Sequence, residues 1–285
     1  MKTAIITDST AYLPDAIIKS LDIRIISLNV IFKDEIFVEQ DYDVQTFYER
    51  MRTEKELPTT SQPTTGEYVA LLEQLKDEGF TDCISIHLSS GISGTYQNAI
   101  TAGSMVDGID IHPFDSEIAA MAMGFYVIRA AELKNALSPE EIIAELEDMK
   151  KDIHAYFIVD DLKNLQKGGR LTGAQALIGS MLQVKPILHF VDTKIVPYDK
   201  VRTKKKAIKQ IKTLFAQETK DYSDITAVLI HANASEEADD ILAELKAEFP
   251  HVDFVKSYFG PVIGTHLGER SIGLGYMNRK FNSFN

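Results

Sequence analysis

A single cysteine, no excess of positive charge and no long apolar run together limit what this chain can be. Cys83 cannot form an internal disulfide, and one thiol cannot build a structural zinc site. A chain free of disulfides suits a reducing compartment, so a cytoplasmic location is expected. Cys83 falls in an apolar strand pattern, where cysteine behaves as a small inert hydrophobe. The net charge of -12 leaves no dominant basic face and argues against nucleic-acid binding. The first apolar run, Thr3 to Thr7, stops at Asp8, too short for a signal peptide or a membrane span.

Enzyme motifs are missing as well. Gly91-Ile92-Ser93-Gly94-Thr95 would need glycine in place of Thr95 to make a nucleophile elbow. Lys167-Gly168-Gly169-Arg170 lacks the spacing of a Walker loop. Gly260, Gly264, Gly268, Gly273 and Gly275 form no dinucleotide fingerprint. No two histidines stand at metal-ligand spacing on a helix, so neither a metal nor a cofactor is expected. Asp8 and Asp115 both follow strand-like runs and could share a crevice as metal ligands or as an acid and base. Capping the segments that follow them is the plainer role.

What is present is ordinary for a globular protein: 45% hydrophobic and 25% charged residues in a chain of 285, long enough for two domains. Short apolar runs alternate with amphipathic helical stretches. Thr3 to Thr7, Arg24 to Phe32, Glu35 to Val38, the segment around Cys83 and Ile109 to Phe114 read as strands. Helices are expected from Pro14 to Leu21, over 43–52, up to about Glu78, and over 118–134 and 138–151. The last opens on the capping signature Ser138-Pro139-Glu140-Glu141. Pro58 and Pro63 bracket a hydroxyl-rich run that cannot be helix.

After about residue 155 the pattern changes. Strands at 156–159, 187–191, 194–197, 225–231, 252–258 and 271–277 accompany helices at 162–166, 173–182, 203–219 and 235–248, with a hairpin signal at Asp192-Thr193. Residues 1–155 are therefore read as an α/β domain with a mostly parallel sheet. Residues 156–285 are read as an α+β domain with a mixed or antiparallel sheet, and the cleft between the two as a natural ligand site.

Leu88-Ser89-Ser90-Gly91-Ile92-Ser93-Gly94-Thr95-Tyr96 is the most informative run. It joins a strand to a helix and offers hydroxyls and free backbone N–H groups at a helix N-terminus, which suits a phosphate or a carboxylate. The competing reading is that Ser93 or Thr95 caps the helix and the glycines permit the turn.

This loop also belongs to an ordered set. Thr7-Asp8-Ser9-Thr10, Pro58-Thr59-Thr60-Ser61-Gln62-Pro63, the serine loop, Lys167-Gly168-Gly169-Arg170, Lys185-Pro186-Ile187-Leu188 and Gly264-Thr265-His266 follow one another as in DegV proteins. The chain resembles that family from residue 7 to about 268. The resemblance implies a two-domain fold that holds one long-chain fatty acid between the domains. It also implies a non-catalytic, FakB-like role, presenting the acid to an ATP-dependent fatty acid kinase. By the same resemblance the carboxylate is bound by Ser61 and Ser93, with His266 and Arg170 close by and Thr60, Gly94 and Thr95 around them. The family commonly continues past the histidine with Gly-Pro-Gly, whereas this chain reads Leu267-Gly268-Glu269-Arg270 and brings an acid near the head group.

The chemistry agrees with that implication. A carboxylate removed from water needs several donors, and each buried methylene of its tail contributes roughly 0.8 kcal/mol. Candidate tunnel walls are Ile118, Met121, Met123 and Phe125 on one helix, and Ala174, Leu177, Ile178, Met181 and Leu182 on another. Two basic segments, Lys167 to Arg170 and Lys200 to Lys206, are candidates for the kinase contact, with Arg202 and Arg170 suited to a bidentate grip on phosphate. Two further readings stay open: an enzyme, either a hydrolase using Ser93 and His266 or a sugar-phosphate enzyme, and a lipid sensor without a kinase.

Overall fold

The computed structural model describes residues 2–171 and 184–284. The chain runs β1 (Thr3–Asp8), α1 (Asp15–Ser20), β2 (Ile23–Ile26), β3 (Asn29–Phe32), β4 (Glu35–Val38), α2 (Val44–Thr53) and β5 (Thr59–Ser61). It continues with α3 (Thr65–Asp77), β6 (Asp82–His87), α4 (Thr95–Gly103), β7 (Asp110–Asp115), α5 (Ala120–Leu133) and α6 (Pro139–Met149). Next come β8 (His154–Ile158), α7 (Lys163–Lys167), β9 (Lys185–Val191), β10 (Lys194–Val201) and α8 (Lys204–Glu218). The last elements are β11 (Thr226–His231), α9 (Ser235–Glu248), β12 (Asp253–Tyr258), α10 (Pro261–Leu267) and β13 (Ile272–Met277). The expected helix at 173–182 and its wall residues, from Ala174 to Leu182, lie outside the described residues.

Strands β2-β1-β6-β7 make a parallel sheet. Strands β10-β9-β8-β13-β11-β12 make a second sheet, in which the β11–β12 pair is parallel and the others antiparallel. This is the α/β class expected from the sequence, a parallel sheet in the first half and a mixed one in the second. Helix α5 is buried along almost its whole circumference, because it packs on β1 and β6 on one side and on β11, β12 and β13 on the other. Phe281 returns from beyond β13 to stack on Phe125 of α5 at 5.3 Å between ring centroids.

One local expectation is corrected, and two segments gain detail. The run from Arg24 to Phe32 is two strands: β2 stays with the parallel sheet while β3 leaves for a small antiparallel sheet, β4-β3-β5. The break sits at Ser27-Leu28, where Leu28 N–H donates to Ser9 Oγ at 3.0 Å instead of to a neighbouring strand. Within the run between Pro58 and Pro63, three residues form β5, with Ser61 opposite Asn29. The glycine-rich segment ending at Gly268 forms helix α10. Pro261 occupies its first turn, and Gly268, at φ 76°, closes it in a conformation that favours glycine.

The three sheets meet at one buried carboxylate. Glu39 follows β4 and is buried. Its Oε1 accepts from Tyr12 Oη at 2.8 Å and from the Val262 N–H of α10 at 2.7 Å, while Oε2 meets Ser9 Oγ. Tyr12 Oη in turn accepts from Ile263 N–H at 3.2 Å. Burial outweighs these donors and pushes the Glu39 pKa from 4.5 up to about 7.

The folded state thus holds this proton more tightly than the unfolded chain does. The stability it brings is complete below about pH 4.5 and is lost as pH rises through 7. Glu39→Gln keeps Oε1 for both donors and offers an N–H to Ser9 Oγ. It should be more stable than the parent at pH 8, by up to roughly 3 kcal/mol, and equal to it near pH 5. Glu39→Ala should be less stable at both. Chemical denaturation at the two pH values checks this, and a parent curve unaffected by pH would contradict it.

Candidate functional site

The serine loop is anchored at its base before it reaches any cavity. Asp8, at the end of β1, accepts from His87 Nδ1 and Leu88 N–H, both at 3.0 Å, and from the Thr10 N–H at 3.1 Å. Asp115, at the end of β7, accepts from the N–H groups of Ser90 and Glu117. These two carboxylates therefore set loop geometry. Ser89 Oγ donates to Thr193 O at 2.7 Å, which ties the loop to the β9–β10 hairpin. Gly91 is required at that contact, since a Cβ would stand 2.2 Å from the same carbonyl.

So held, the loop presents Ser93 and Gly94 to a cavity of about 300 Å³, near the lower end of the range for small-molecule sites. Thr60 and Ser61 from β5, Gln62, His266 from α10 and Arg170 line the same end. Of the residues expected at the head group, six therefore converge: Thr60, Ser61, Ser93, Gly94, Arg170 and His266. Thr95 does not line the cavity. It is fully buried behind Ser93, and the two hydroxyls lie 2.9 Å apart. Ser93 Oγ also accepts from Thr95 N–H at 3.3 Å, but the N-cap position of α4 is Gly94, so neither Ser93 nor Thr95 is the cap expected from the sequence. Arg202 sits exposed between β10 and α8 and lines neither this cavity nor its neighbours among the described residues.

His266 Nε2 pairs with Thr60 Oγ1 at 2.8 Å. Burial first, and the Arg170 charge second, lower its pKa from 6.5 to about 3, so the imidazole is neutral at physiological pH. Its Nδ1 is buried with no partner among the described residues. Arg170 bridges two segments, with Nε donating to Ile92 O at 3.0 Å and Nη1 to Gly168 O at 2.6 Å. Glu269 turns away from the head group. Arg52 grips it in bidentate fashion, at 2.6 and 2.9 Å, and Asn233 donates to it at 2.7 Å.

Away from these groups the lining is apolar. Phe157, Phe190, Ile195 and Ile230 come from the mixed sheet, and Phe259, Val262, Ile263 and Leu267 from the α10 region. The wall contributed by the α5 region is not the expected one. Ile118, Met121, Met123 and Phe125 belong to the core, whereas Ala119, Ala120 and Ala122 face the cavity. Only small side chains fit there: a Cβ on Gly275 of β13 would come within 2.9 Å of the Ala122 Cβ. The aromatic lining was not legible from the sequence, because strand periodicity marks a face as buried without saying what fills the space beside it.

No Ser93–His266 hydrolase pair is formed. Ser93 Oγ meets Thr95 and not His266. A separate Ser85–His87–Asp8 chain does have triad connectivity, with Ser85 Oγ 2.7 Å from His87 Nε2 and His87 Nδ1 3.0 Å from Asp8. All three are fully buried and line no cavity among the described residues, and Tyr68 Oη sits on Ser85 and on His87. No cluster of potential metal ligands occurs among the described residues, and none of their helices is long and apolar enough to cross a membrane. Burial pushes the Cys83 thiol up to about 12, in keeping with an inert core residue.

Comparison with known proteins places this geometry. Residues 2–279 match the family described as "Uncharacterised protein, DegV family". Protein DegV of Bacillus subtilis is 54% identical over 277 residues, covering 96% of this chain and 98% of the relative. The crystal structure of DegV described as a fatty acid binding protein from Bacillus subtilis superposes with a TM-score of 0.93 at 53% identity, over 98% of this chain and all of that one. A DegV family protein from Thermus thermophilus, whose structure is described by its fatty acid binding, gives 0.91 at 28% identity over the same shares. The chain belongs to the DegV family.

Proposed function

We propose that this protein binds one long-chain fatty acid. The carboxylate lies among Ser61, Ser93 and His266, with Thr60, Gly94 and Arg170 around it, and the tail runs along the apolar cavity between the two sheets. The ligand separates an N-terminal unit of residues 1–155 from a C-terminal unit of residues 156–285. The observation that carries this reading is one cavity whose polar lining is held together by contacts, Thr60 with His266 and Arg170 with the loop of Ser93, while most of its other lining is aromatic and aliphatic. A neutral imidazole and two serine hydroxyls meet a carboxylate by donation, while Arg170 supplies the compensating charge. The fatty-acid-binding relatives support the same ligand class.

Ser93→Ala and Ser61→Ala should each weaken binding by about ten- to a hundredfold, the value of one hydrogen bond to a charged group. Both variants should stay folded. Fluorescence titration with palmitate checks this, and wild-type affinity in both would remove the carboxylate site. For the tail, affinity should rise roughly tenfold for every two added carbons and then stop sharply at the cavity end. Calorimetry across a series of saturated acids reads this out. A flat response would mean that the head group alone is recognised.

The finer reading is that the protein presents its acid to a separate ATP-dependent kinase that forms the acyl phosphate. No nucleotide motif stands in the chain, and Arg202 is exposed and free to meet a partner or a new phosphate. On this reading Arg202→Ala keeps its fatty-acid affinity and loses acyl-phosphate formation with the cognate kinase. Full turnover by the variant would exclude Arg202 from the contact.

A further inference from the structure

Ser89 does not line the principal cavity, yet each of its polar groups reaches a different part of that cavity's wall. The residue is fully buried. Its N–H donates to Ile118 O at 2.8 Å, immediately before Ala119 and Ala120, which face the cavity. Its carbonyl accepts from the N–H groups of Ile92 and Ser93, both at 3.1 Å. Its hydroxyl donates to Thr193 O at 2.7 Å, at the tip of the β9–β10 hairpin. We propose that Ser89 is a positioning residue that couples the hairpin wall touched by the tail to the loop that holds the carboxylate. The two ends of the acid are then not recognised independently. The proposal rests on the fatty-acid reading above and deepens it.

The hairpin is built to transmit such a contact. Val191 stands opposite Lys194, so the connection is only Asp192 and Thr193, both left-handed at φ 46° and 68°. Two left-handed residues make the tight turn whose twist matches the strands on either side. The next pair inward with the same facing is Phe190 opposite Ile195, and both line the cavity. A tail lying against this pair therefore bears on the strands right beside the tip. Gly91 of the serine loop is pressed against the tip as well. A Cβ there would meet Thr193 O at 2.2 Å and Thr193 Oγ1 at 2.5 Å.

From the tip the connection runs through one residue. The hydroxyl and the carbonyl of Ser89 share one Cα, so a displaced tip moves the group that holds the Ser93 N–H, and with it the Ser93 hydroxyl. The other anchors of the loop do not make this link. Asp8 and Asp115 hold Leu88 and Ser90 from the ends of the parallel strands, and Arg170 holds Ile92 O from the polar end. Truncating the hairpin wall should therefore loosen Ser93 while Ser89 joins the two, and should leave it unaffected once that joint is gone.

Palmitate titrations of the parent, of Ser89→Ala, Ser93→Ala and Ile195→Ala, and of their combinations test the link. Ser89→Ala should weaken binding by about three- to tenfold, the value of one neutral hydrogen bond, although its side chain touches no ligand. With Ser89 present, the loss in the Ser93→Ala, Ile195→Ala double variant should fall short of the product of the single losses by about threefold or more. In the Ser89→Ala background the two losses should multiply to within about twofold. A residue that only stabilises the fold would lower the melting temperature and leave the coupling between Ser93 and Ile195 as it was. Gly91→Ala pushes the tip off the loop while keeping the Ser89 hydroxyl. It should abolish the same coupling, and it carries the test if Ser89→Ala does not fold. Coupling that persists in these backgrounds, losses that multiply with Ser89 in place, or parental palmitate affinity in Ser89→Ala overturns the proposal. Failure of the parent to bind palmitate, or parental affinity in Ser93→Ala, would instead overturn the binding site on which it rests.

Discussion

The buried Glu39 carboxylate is the contact through which the sheets of this protein fix one another. It takes hydrogen bonds from Ser9 and Tyr12, just past the first strand, and from Val262, at the start of the helix that carries His266. Ser9 in turn receives the Leu28 N–H, where the chain leaves the parallel sheet. Leu28, Val262 and Ile263 all line the principal cavity. The cavity wall and the imidazole at its polar end are therefore placed by one acid. That acid is buried, and burial makes it hold its proton up to about neutral pH.

At the polar end the protein gathers donors while keeping formal charge low. His266 is neutral because burial and Arg170 both act against its protonation. Arg170 has its guanidinium fixed by two backbone carbonyls, and so costs little further ordering when an anion arrives. Glu269, which in sequence stands close to the head group, is neutralised by Arg52 and Asn233. The acid's position in the chain said nothing of this, because its partners lie 217 and 36 residues away.

Order of elements and sheet class were readable from apolar spacing and from caps such as Ser138 with Glu141, both of which depend on near neighbours. Of the polar residues lining the cavity, Ser93 and Gly94 stood out in a strand-to-helix loop rich in hydroxyls and glycines, whereas Thr60, Ser61, Arg170 and His266 were singled out only through the resemblance to DegV proteins. Features set by distant partners were not readable. The break at Ser27-Leu28 depends on Ser9, the helical form of residues 261–267 on packing against α2, β3 and β5, and the alanine face of α5 on Gly275. The buried Ser85–His87–Asp8 chain was equally hidden, since strand pairing alone aligns its members.

The central claim is that the cavity between the sheets holds a fatty acid. Denaturing extraction of the purified protein followed by mass spectrometry of the extract tests it most directly. The account predicts about one long-chain fatty acid per chain, dominated by chain lengths that fill the apolar part of the cavity. An extract without lipid, or one containing a sugar phosphate in equal amount to the protein, would contradict it.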